Sequence, residues 1–199
     1  MRPAFSFGII LSVILVIGLG NPGEKYAGTR HNVGREIVAA FGRAHDFGEF
    51  RFEKKWNAQV GEGKIGKTKI ILLLPDTMMN ASGKAVAAAA RFYKTAPRHI
   101  FAVHDDADVA LGRAKLSFGR GAAGHKGVES VIRGLKTKDF WRFRIGIAGK
   151  RDIPAEKLVL KKITPEEQRT IKKIAKKTIE AIVTAATESP DRAMNTYNS

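Results

Sequence analysis

Residues Val16–Gly23 read VIGLGNPG. The first four of them end an apolar run, SVILVIGL (12–19). The β-branched residues of that run predict a strand that is buried on both faces of a sheet. Gly18, Gly20 and Gly23 then repeat the G-x-G-x-x-G spacing of a turn that binds dinucleotides. The stretch therefore predicts a central strand followed by a glycine turn, and the rest of the chain must show what that turn serves.

The context of this turn argues against a nucleotide cofactor. In a dinucleotide site the third glycine opens a helix whose N-terminus holds the pyrophosphate, but here helical spacing begins only near Val33. Pro22 also removes a backbone N–H from the loop that would bind phosphate. No strand that ends in an acidic residue follows at the required distance of about 20 residues. We therefore expect no cofactor, with a pyridine-nucleotide oxidoreductase kept as an alternative.

Strand-like and helical patterns alternate along the rest of the chain. Apolar runs typical of strands lie at 13–19, 69–74, 100–104 and 142–148, with weaker candidates at 58–61 and 114–118. Helical spacing is found at 33–44, 82–93 and 128–135. Such alternation predicts an α/β fold. We expect a single-domain, three-layer sandwich around a mixed, mostly parallel β-sheet, with helices on both faces.

The last helical pattern has clear boundaries. Thr164, Pro165 and Glu167 form the signature of a capping box with proline at the first helical position, and Ser189-Pro190 ends the pattern. Apolar residues recur along one face of this helix, while lysines lie mainly on the other, at Lys172, Lys173, Lys176 and Lys177. That lysine face is either solvated or turned towards a polyanion.

The chain of 199 residues is strongly basic. It contains 35 Lys and Arg against 19 Asp and Glu, which gives a formal net charge of +16 at pH 7. Such an excess predicts a polyanionic partner, with nucleic acid as the first choice and an anionic membrane surface as the second. The absence of cysteine excludes disulfides, thiolate zinc sites and a cysteine nucleophile.

The N-terminal region resembles an export signal or a membrane anchor, because residues 3–23 carry no charge. Glycines and Pro22 interrupt this stretch, however, and it lacks an A-x-A cleavage pattern at its end. We therefore expect no membrane association. The sequence predicts an N-terminal extension at 1–12, whose role it does not reveal, and a single domain at 13–199.

Polar side chains follow the predicted strands at the edge where open α/β sheets place their sites. The candidates are Asn21, Tyr26 and His31 after the first strand, Met79 and Asn80 after the second, and Asp105 in the HDDAD end of the third. Arg120, His125 and Lys126 lie in the glycine-rich loop that follows the candidate strand at 114–118. If the sheet is parallel, these segments meet at one edge and form a single site.

These residue types suit acyl transfer to water. A neutral histidine can take a proton from water, and a carboxylate on its other ring nitrogen fixes the tautomer and raises its basicity. Side-chain amides can hold a carbonyl oxygen as it becomes an oxyanion. His31, Asp105, Asn21 and Asn80 supply that minimum set. The HDDAD segment has neither EF-hand nor zinc spacing, and no G-x-S-x-G motif supports a Ser-His-Asp hydrolase, so we expect no metal and no serine nucleophile.

The sequence resembles bacterial-type peptidyl-tRNA hydrolase over residues 13–195. The most specific segment is GLGNPGEKYAGTRHNVG (18–34), and further agreement comes from MMNASGKAV (78–86), HDDADVALGRAKL (104–116), GHKGVES (124–130) and WRFRIGIAG (141–149). The resemblance implies a monomeric, metal-free α/β enzyme of the cytoplasm. Such an enzyme cleaves the ester between a peptide and the 3′ end of tRNA, and so recycles tRNA from peptidyl-tRNA that has left the ribosome.

The resemblance also implies a role for each matching residue. His31 would be the general base and Asp105 its partner. Asn21 and Asn80 would hold the substrate carbonyl. Tyr26 and Met79 would line the cleft beside the 3′ end of the tRNA. Apart from the resemblance, the basic charge of the chain leads us to expect phosphate contacts near the site from Arg113, Lys115, Arg142 and Arg144.

The chain departs from the family pattern at one of these positions. The family's GHNG is GHKG here, so Lys126 replaces an asparagine that is thought to hold the tRNA end and the attacking water. A lysine ammonium only donates hydrogen bonds, so we expect Lys126 to bind a phosphate instead. The departure leaves open an alternative, a non-catalytic RNA-binding protein of the same fold, as in the plant organellar intron-splicing relatives.

Overall fold

A computed structural model describes residues 13–149 and 153–198 of the chain. The extension predicted at 1–12 lies outside the described residues, so the division of the chain into an extension and a single domain stays a prediction. The strands are β1 (Ile14–Gly18), β2 (Arg51–Glu53), β3 (Ala58–Ile65), β4 (Thr68–Pro75), β5 (Ile100–Ala110), β6 (Ala114–Phe118) and β7 (Trp141–Ala148). The α-helices are α1 (Val33–Ala44), α2 (Ser82–Phe92), α3 (Lys126–Leu135), α4 (Ala155–Leu158), α5 (Pro165–Thr187) and α6 (Pro190–Tyr197).

The strands form one seven-stranded sheet in the order β2-β3-β4-β1-β5-β7-β6. The four central strands, β4, β1, β5 and β7, are parallel. The outer strands β2, β3 and β6 pair with their neighbours in the antiparallel direction. The prediction of a mixed, mostly parallel sheet is therefore confirmed.

The side chains of β1 show why helices cover both faces of the sheet. Val16 packs in a core with apolar residues of α1 and α5, whereas its neighbours Leu15 and Ile17 pack in a second core with residues of α2 and α3. Successive strand residues point to opposite faces, so a strand that is apolar throughout requires a helical layer on each side. The three-layer sandwich predicted from the sequence is confirmed.

Most predicted elements are confirmed within a few residues, including the capping box of α5. The Thr164 side chain accepts a hydrogen bond from the Glu167 N–H, and Glu167 returns one to the Thr164 N–H. The patterns did not predict β2, α4 or α6, which are short elements of three, four and eight residues. Elements this short carry too few residues to show a periodicity.

The third strand is longer than the apolar run at 100–104 and includes the whole HDDAD segment, because β5 continues to Ala110. On one side β5 pairs with β1 only as far as Val103. On its other side it continues to pair with β7, where Asp105 lies opposite Ile145 and Asp106 opposite Gly146. The strand therefore extends past the end of β1, and Asp105 lies beyond the point where β1 gives way to the glycine turn.

The glycine-rich loop reaches the site by a different route from the one expected. The strand before this loop, β6, runs antiparallel to β7. Its C-terminus therefore lies at the end of the sheet opposite to the carboxyl ends of the parallel strands. Residues 119–125 must therefore return alongside the sheet before α3 begins at Lys126. This return brings His125 to the edge where β1, β4 and β5 place their side chains.

Helix α1 packs very closely against β5. A Cβ atom at Gly34 would lie 2.1 Å from the carbonyl oxygen of Val103. Only glycine allows this approach, and it holds the start of α1, and with it His31, against the end of β1 and the middle of β5. No α-helix in the described ranges is long and apolar enough to cross a membrane.

We predict that Gly34→Ala lowers the free energy of unfolding by about 1–3 kcal/mol, because the added methyl group forces the helix and strand apart. Urea denaturation measures the change. Gly149→Ala is the matched control, since a Cβ there meets no atom of the described residues within 4 Å. An equal loss of stability in both variants would show that the close packing at Gly34 is not the cause.

Candidate active site

A cleft of about 460 Å³ opens at the carboxyl edge of the parallel strands. It brings together most of the site residues that the sequence predicted, namely Asn21, His31, Met79, Asn80, Asp105 and Lys126. Tyr26 is not among the residues that line the cleft. It lies in a short 3₁₀ turn, Glu24–Tyr26, with the Lys25 ammonium over its ring, so its contact with a substrate stays a prediction.

Two histidines converge on one carboxylate oxygen in this cleft. His31 Nδ1 and His125 Nε2 each lie 2.9 Å from Asp105 Oδ1. Their rings lie side by side with centroids 4.9 Å apart. Asp105 is almost fully buried, and His31 and His125 are largely buried, so these hydrogen bonds form with little competition from water.

The fold determines which ring nitrogen of His125 carries the proton. Its Nδ1 accepts hydrogen bonds from the Gly127 and Val128 N–H groups, at 3.1 and 3.2 Å, and so caps the N-terminus of α3. An acceptor nitrogen has no proton, so the neutral ring carries its proton on Nε2. The Nε2–H then donates to Asp105.

Asp105 is held in its ionised form. Burial alone would raise the pKa of this carboxyl, but the electrostatic attraction and hydrogen bond of the His125 N–H, together with those of the His31 N–H, outweigh it and hold the pKa well below its usual range. An ionised carboxylate can only accept, so His31 Nδ1 must donate to it. The lone pair of His31 is thereby placed on Nε2, where it is free to take a proton.

A third histidine lies behind this cluster. His104 is buried, its Nδ1 lies 2.7 Å from the carbonyl oxygen of Asp105, and its ring meets that of His125 edge-on. A carbonyl only accepts, so His104 donates from Nδ1. Burial lowers the pKa of His104 to about 3, and its ring is therefore neutral beside the other two.

The glycine turn presents the side-chain amide of Asn21 to the cleft in one orientation. The Oδ1 atom of Asn21 accepts a hydrogen bond from the Met79 N–H at 2.8 Å. The backbone of Asn21 is held on both sides by Asn32, whose Oδ1 accepts from the Asn21 N–H and whose Nδ2 donates to the Asn21 carbonyl. With its oxygen engaged, Asn21 is left with its NH₂ group as a donor for a ligand.

The segment that carries His31 is tied to a distant part of the chain. The His31 N–H donates to the carbonyl of Val159, and the buried Arg30 donates to the Lys162 carbonyl and to Glu167. Val159 also lines the cleft. The loop between α4 and α5 therefore forms one wall of the cleft and supports the backbone of His31.

The remaining predicted residues occupy the cleft's walls and rim. Met79 is buried and contributes its N–H to Asn21, while the side chains of Asn80 and Lys126 are exposed. The Lys126 Nζ lies 3.9 Å from Glu156 Oε1 on α4. Both side chains are mostly solvated, so this ion pair contributes little to stability.

One expectation about the basic residues is wrong. Arg142 is only 2% exposed and donates to the carbonyl of Gly121, so it supports the glycine-rich loop and does not face a polyanion. Arg144 is partly buried and donates to Asp106 at 2.6 Å. Arg113 and Lys115 are exposed, as expected.

The cluster of His31, Asp105 and His125 has the residue types of a metal site, with donor atoms within 4.8 Å of one another. The hydrogen bonds of this cluster instead favour a proton on each histidine nitrogen that faces Asp105. A neutral histidine that binds a metal through Nε2 carries its proton on Nδ1, but two N–H groups of α3 already point at Nδ1 of His125. The expectation of a metal-free enzyme stays a prediction.

Sequence reasoning did not assign roles to several of these residues. His125 was a candidate at the sheet edge without an assigned role, Asn32 lay unassigned in the segment 18–34, and the loop around Val159 was not singled out. The position of His125 just before an apolar helix was a usable signal, because side chains that accept hydrogen bonds are favoured at helix N-caps. The contact between Val159 and His31 had no local signal.

Comparisons with known proteins agree with this geometry. A family model described as peptidyl-tRNA hydrolase matches residues 15–199. A peptidyl-tRNA hydrolase of Rhodospirillum rubrum is 51% identical over 133 residues, which is 67% of this chain and 54% of that protein. One of Desulfitobacterium hafniense is 40% identical over 185 residues, 92% of this chain and 98% of that protein. The crystal structure of peptidyl-tRNA hydrolase from Acinetobacter baumannii is 31% identical, with a TM-score of 0.88 over 94% of this chain and 95% of that one.

The buried, neutral His104 predicts a pH dependence of stability. Its folded pKa lies below its ordinary value, so between about pH 6.5 and pH 3 the unfolded chain takes up a proton that the folded chain refuses. This group's contribution is complete above that window and is lost as the pH falls, by up to about 1.4 kcal/mol per pH unit. His104→Asn retains a side-chain N–H donor without a titrating ring. Between pH 4 and 7, the free energy of unfolding measured with urea should change less with pH in the variant than in the unaltered protein. An equal pH dependence in both would contradict the assignment.

Proposed function

This chain belongs to the peptidyl-tRNA hydrolase family, and from that membership we propose that it hydrolyses the ester between a peptide, or an N-blocked amino acid, and the 3′ end of tRNA. The observation that carries the proposal is the pairing of His31 Nδ1 with Asp105, which leaves His31 Nε2 free in a cleft beside the Asn21 amide. A base and an oxyanion donor at one site are what ester hydrolysis requires.

In the proposed reaction, His31 Nε2 removes a proton from water as the water oxygen attacks the ester carbonyl carbon. The carbonyl π electrons move to its oxygen, which becomes an oxyanion and accepts a hydrogen bond from the Asn21 NH₂ group, with Asn80 as a second donor. The tetrahedral intermediate then collapses and breaks the bond to the ribose oxygen. That oxygen takes the proton from His31, which regenerates the neutral ring and releases tRNA and a free carboxylic acid.

Asp105 has two tasks in this scheme. It fixes the tautomer of His31 before the reaction and stabilises the imidazolium that forms during proton transfer. His125 positions Asp105, because its Nε2–H is directed at the same oxygen by the cap of α3. A carboxylate already held by one N–H reorganises little when the second histidine becomes charged.

The substrate side of the cleft is both apolar and basic. Met79 and the apolar residues Ala122, Ala123 and Val159 line it and suit a peptide of varied sequence. We propose that Lys126 binds a phosphate near the 3′ end, since its only ion-pair partner among the described residues is the exposed Glu156. The net charge of +16 supports a tRNA backbone as the wider partner. We also propose a cytoplasmic monomer that needs no membrane.

Two alternatives are not favoured. A non-catalytic RNA-binding role would not require the arrangement of His31, Asp105 and Asn21, and the relatives are named as hydrolases. A pyridine-nucleotide oxidoreductase would require a helix at Gly23, where the chain forms only a short 3₁₀ turn before α1 begins at Val33.

We predict that His31→Asn lowers kcat about 10²–10⁴-fold while KM changes little. The asparagine NH₂ group can take the place of Nδ1–H against Asp105, but the variant has no counterpart of Nε2. Release of tRNA from N-acetyl-aminoacyl-tRNA measures the effect. His45→Asn, a change in a histidine that does not line the cleft, is the matched control. Full activity in His31→Asn would overturn the assignment of the base.

We predict that Lys126→Asn keeps or raises kcat but weakens tRNA binding. One phosphate contact is lost, so the slope of log KM against log salt concentration should fall by about 0.7–0.9. The control variant Lys177→Asn removes the same charge from an exposed lysine in the middle of α5. It should leave kcat unchanged. An unchanged slope in Lys126→Asn would mean that this lysine is only solvated, and a fall in kcat would mean that it serves the chemistry.

A further inference from the structure

A second groove leads away from the cleft, between α2 and α3. The two helices approach so closely that a Cβ at Gly83 would lie 1.8 Å from the carbonyl oxygen of Ser130, and one at Gly134 would lie 2.4 Å from that of Gly83. Small residues, including Ala87 and Ala88, line the groove beside this contact. The alanine-rich sequence of α2 therefore leaves a shallow channel along the outside of the helix pair, in addition to packing against the sheet.

The walls of this channel are basic. Its charged lining residues are Lys84, Arg91 and Lys94 from α2 and its end, and Arg133 and Lys136 from α3 and its end. All five side chains are exposed, and within residues 13–149 and 153–198 none of them forms an ion pair with a carboxylate. Among the residues that the structure describes, no acidic one lines the channel. Five unpaired cations along one groove repel one another and attract a polyanion.

Helix stability does not explain this charge. Lys94 and Lys136 follow the C-terminal ends of their helices, where a cation is favourable, but Lys84 lies in the first turn of α2, where it is unfavourable. A cation at that end, with no carboxylate to neutralise it, opposes the dipole of its own helix. Its position at the cleft end of the channel fits a role in binding an anion.

The channel adjoins the catalytic cleft. Asn80 lines both of them, and Arg133 Nη2 lies 3.4 Å from the Asn80 carbonyl at the junction. The eleven residues of α2 span about 16 Å, since an α-helix rises 1.5 Å per residue. A stacked nucleic-acid strand advances about 3.4 Å per nucleotide and an extended strand advances further, so the channel accommodates at most about four or five nucleotides.

We propose that this channel binds the sugar–phosphate backbone of the single-stranded 3′ end of the tRNA, over roughly the four nucleotides that precede the ester. The inference rests on the proposed function, which places the ester beside His31 and therefore requires the strand to leave the cleft nearby. No aromatic residue in the described part of the chain lines the channel, so this part offers no platform for stacking bases. Contacts made to phosphates alone suit a substrate whose sequence varies.

The test is equilibrium binding of deacylated tRNA, which does not depend on hydrolysis. The triple variant Lys84→Gln, Arg91→Gln and Arg133→Gln should raise Kd at least ~10-fold at low salt, and it should lower the slope of log Kd against log salt by about two. The matched control, Lys172→Gln, Lys173→Gln and Lys176→Gln, removes the same charge from exposed residues of α5, on the other face of the sheet. It should change both quantities much less. Circular dichroism verifies that both variants are folded.

A trimmed RNA locates the contact. With tRNA that lacks its last four nucleotides, the channel variant and the unaltered protein should bind equally well. The conservative variant Arg91→Lys with Arg133→Lys keeps the charge and should retain most of the affinity for intact tRNA. Equal weakening by the channel and α5 variants, or a channel effect that persists with trimmed tRNA, would overturn the proposal. Failure of the unaltered protein to release tRNA from N-acetyl-aminoacyl-tRNA would instead overturn the proposed function, and it would leave the binding result to decide the channel.

Discussion

One oxygen atom, Oδ1 of Asp105, accepts hydrogen bonds from two imidazole rings, and the rest of the site depends on that shared acceptance. A buried carboxylate is costly unless charged or hydrogen-bonded partners compensate for its lost hydration. His31 and His125 supply that compensation from two different segments. The same hydrogen bonds fix the tautomer of His31 and attach the N-terminus of α3 to β5. Chemistry and architecture thus depend on one group, and a change at Asp105 affects both.

The backbone around the site is held by contacts that reach across the chain. Asn32 brackets Asn21 on both sides, and the Met79 N–H sets the orientation of the Asn21 side chain. The loop after α4 accepts a hydrogen bond from the backbone of His31 through Val159. The side chain of Asn21 and the backbone of His31 are therefore positioned by partners from other elements. A site assembled in this way is organised before substrate arrives, which electrostatic stabilisation of an oxyanion requires.

Much of this could be read from the sequence, because the relevant signals are local. The apolar, β-branched run before Gly18 predicted a strand buried on both faces, and Thr164 with Glu167 predicted the start of α5. His31 and Asn21 follow β1 directly, where open α/β sheets place functional residues. Elsewhere the local signal misled. Arg142 has the chemistry of a phosphate-binding residue, yet alternation along β7 turns it inward beneath the glycine-rich loop.

By itself the sequence determined the fold class, the basic character of the chain and the residue types of the site. These follow from the composition of the chain and from periodicity and capping, which are patterns among residues close in sequence. Only the tertiary structure decided which nitrogen of each histidine carries a proton, because that depends on contacts between His31 and Asp105, 74 positions apart, and between His125 and Asp105, 20 apart. It likewise decided that β5 extends past β1 and that β6 runs backwards, since strand length and direction depend on which neighbours are available for hydrogen bonding.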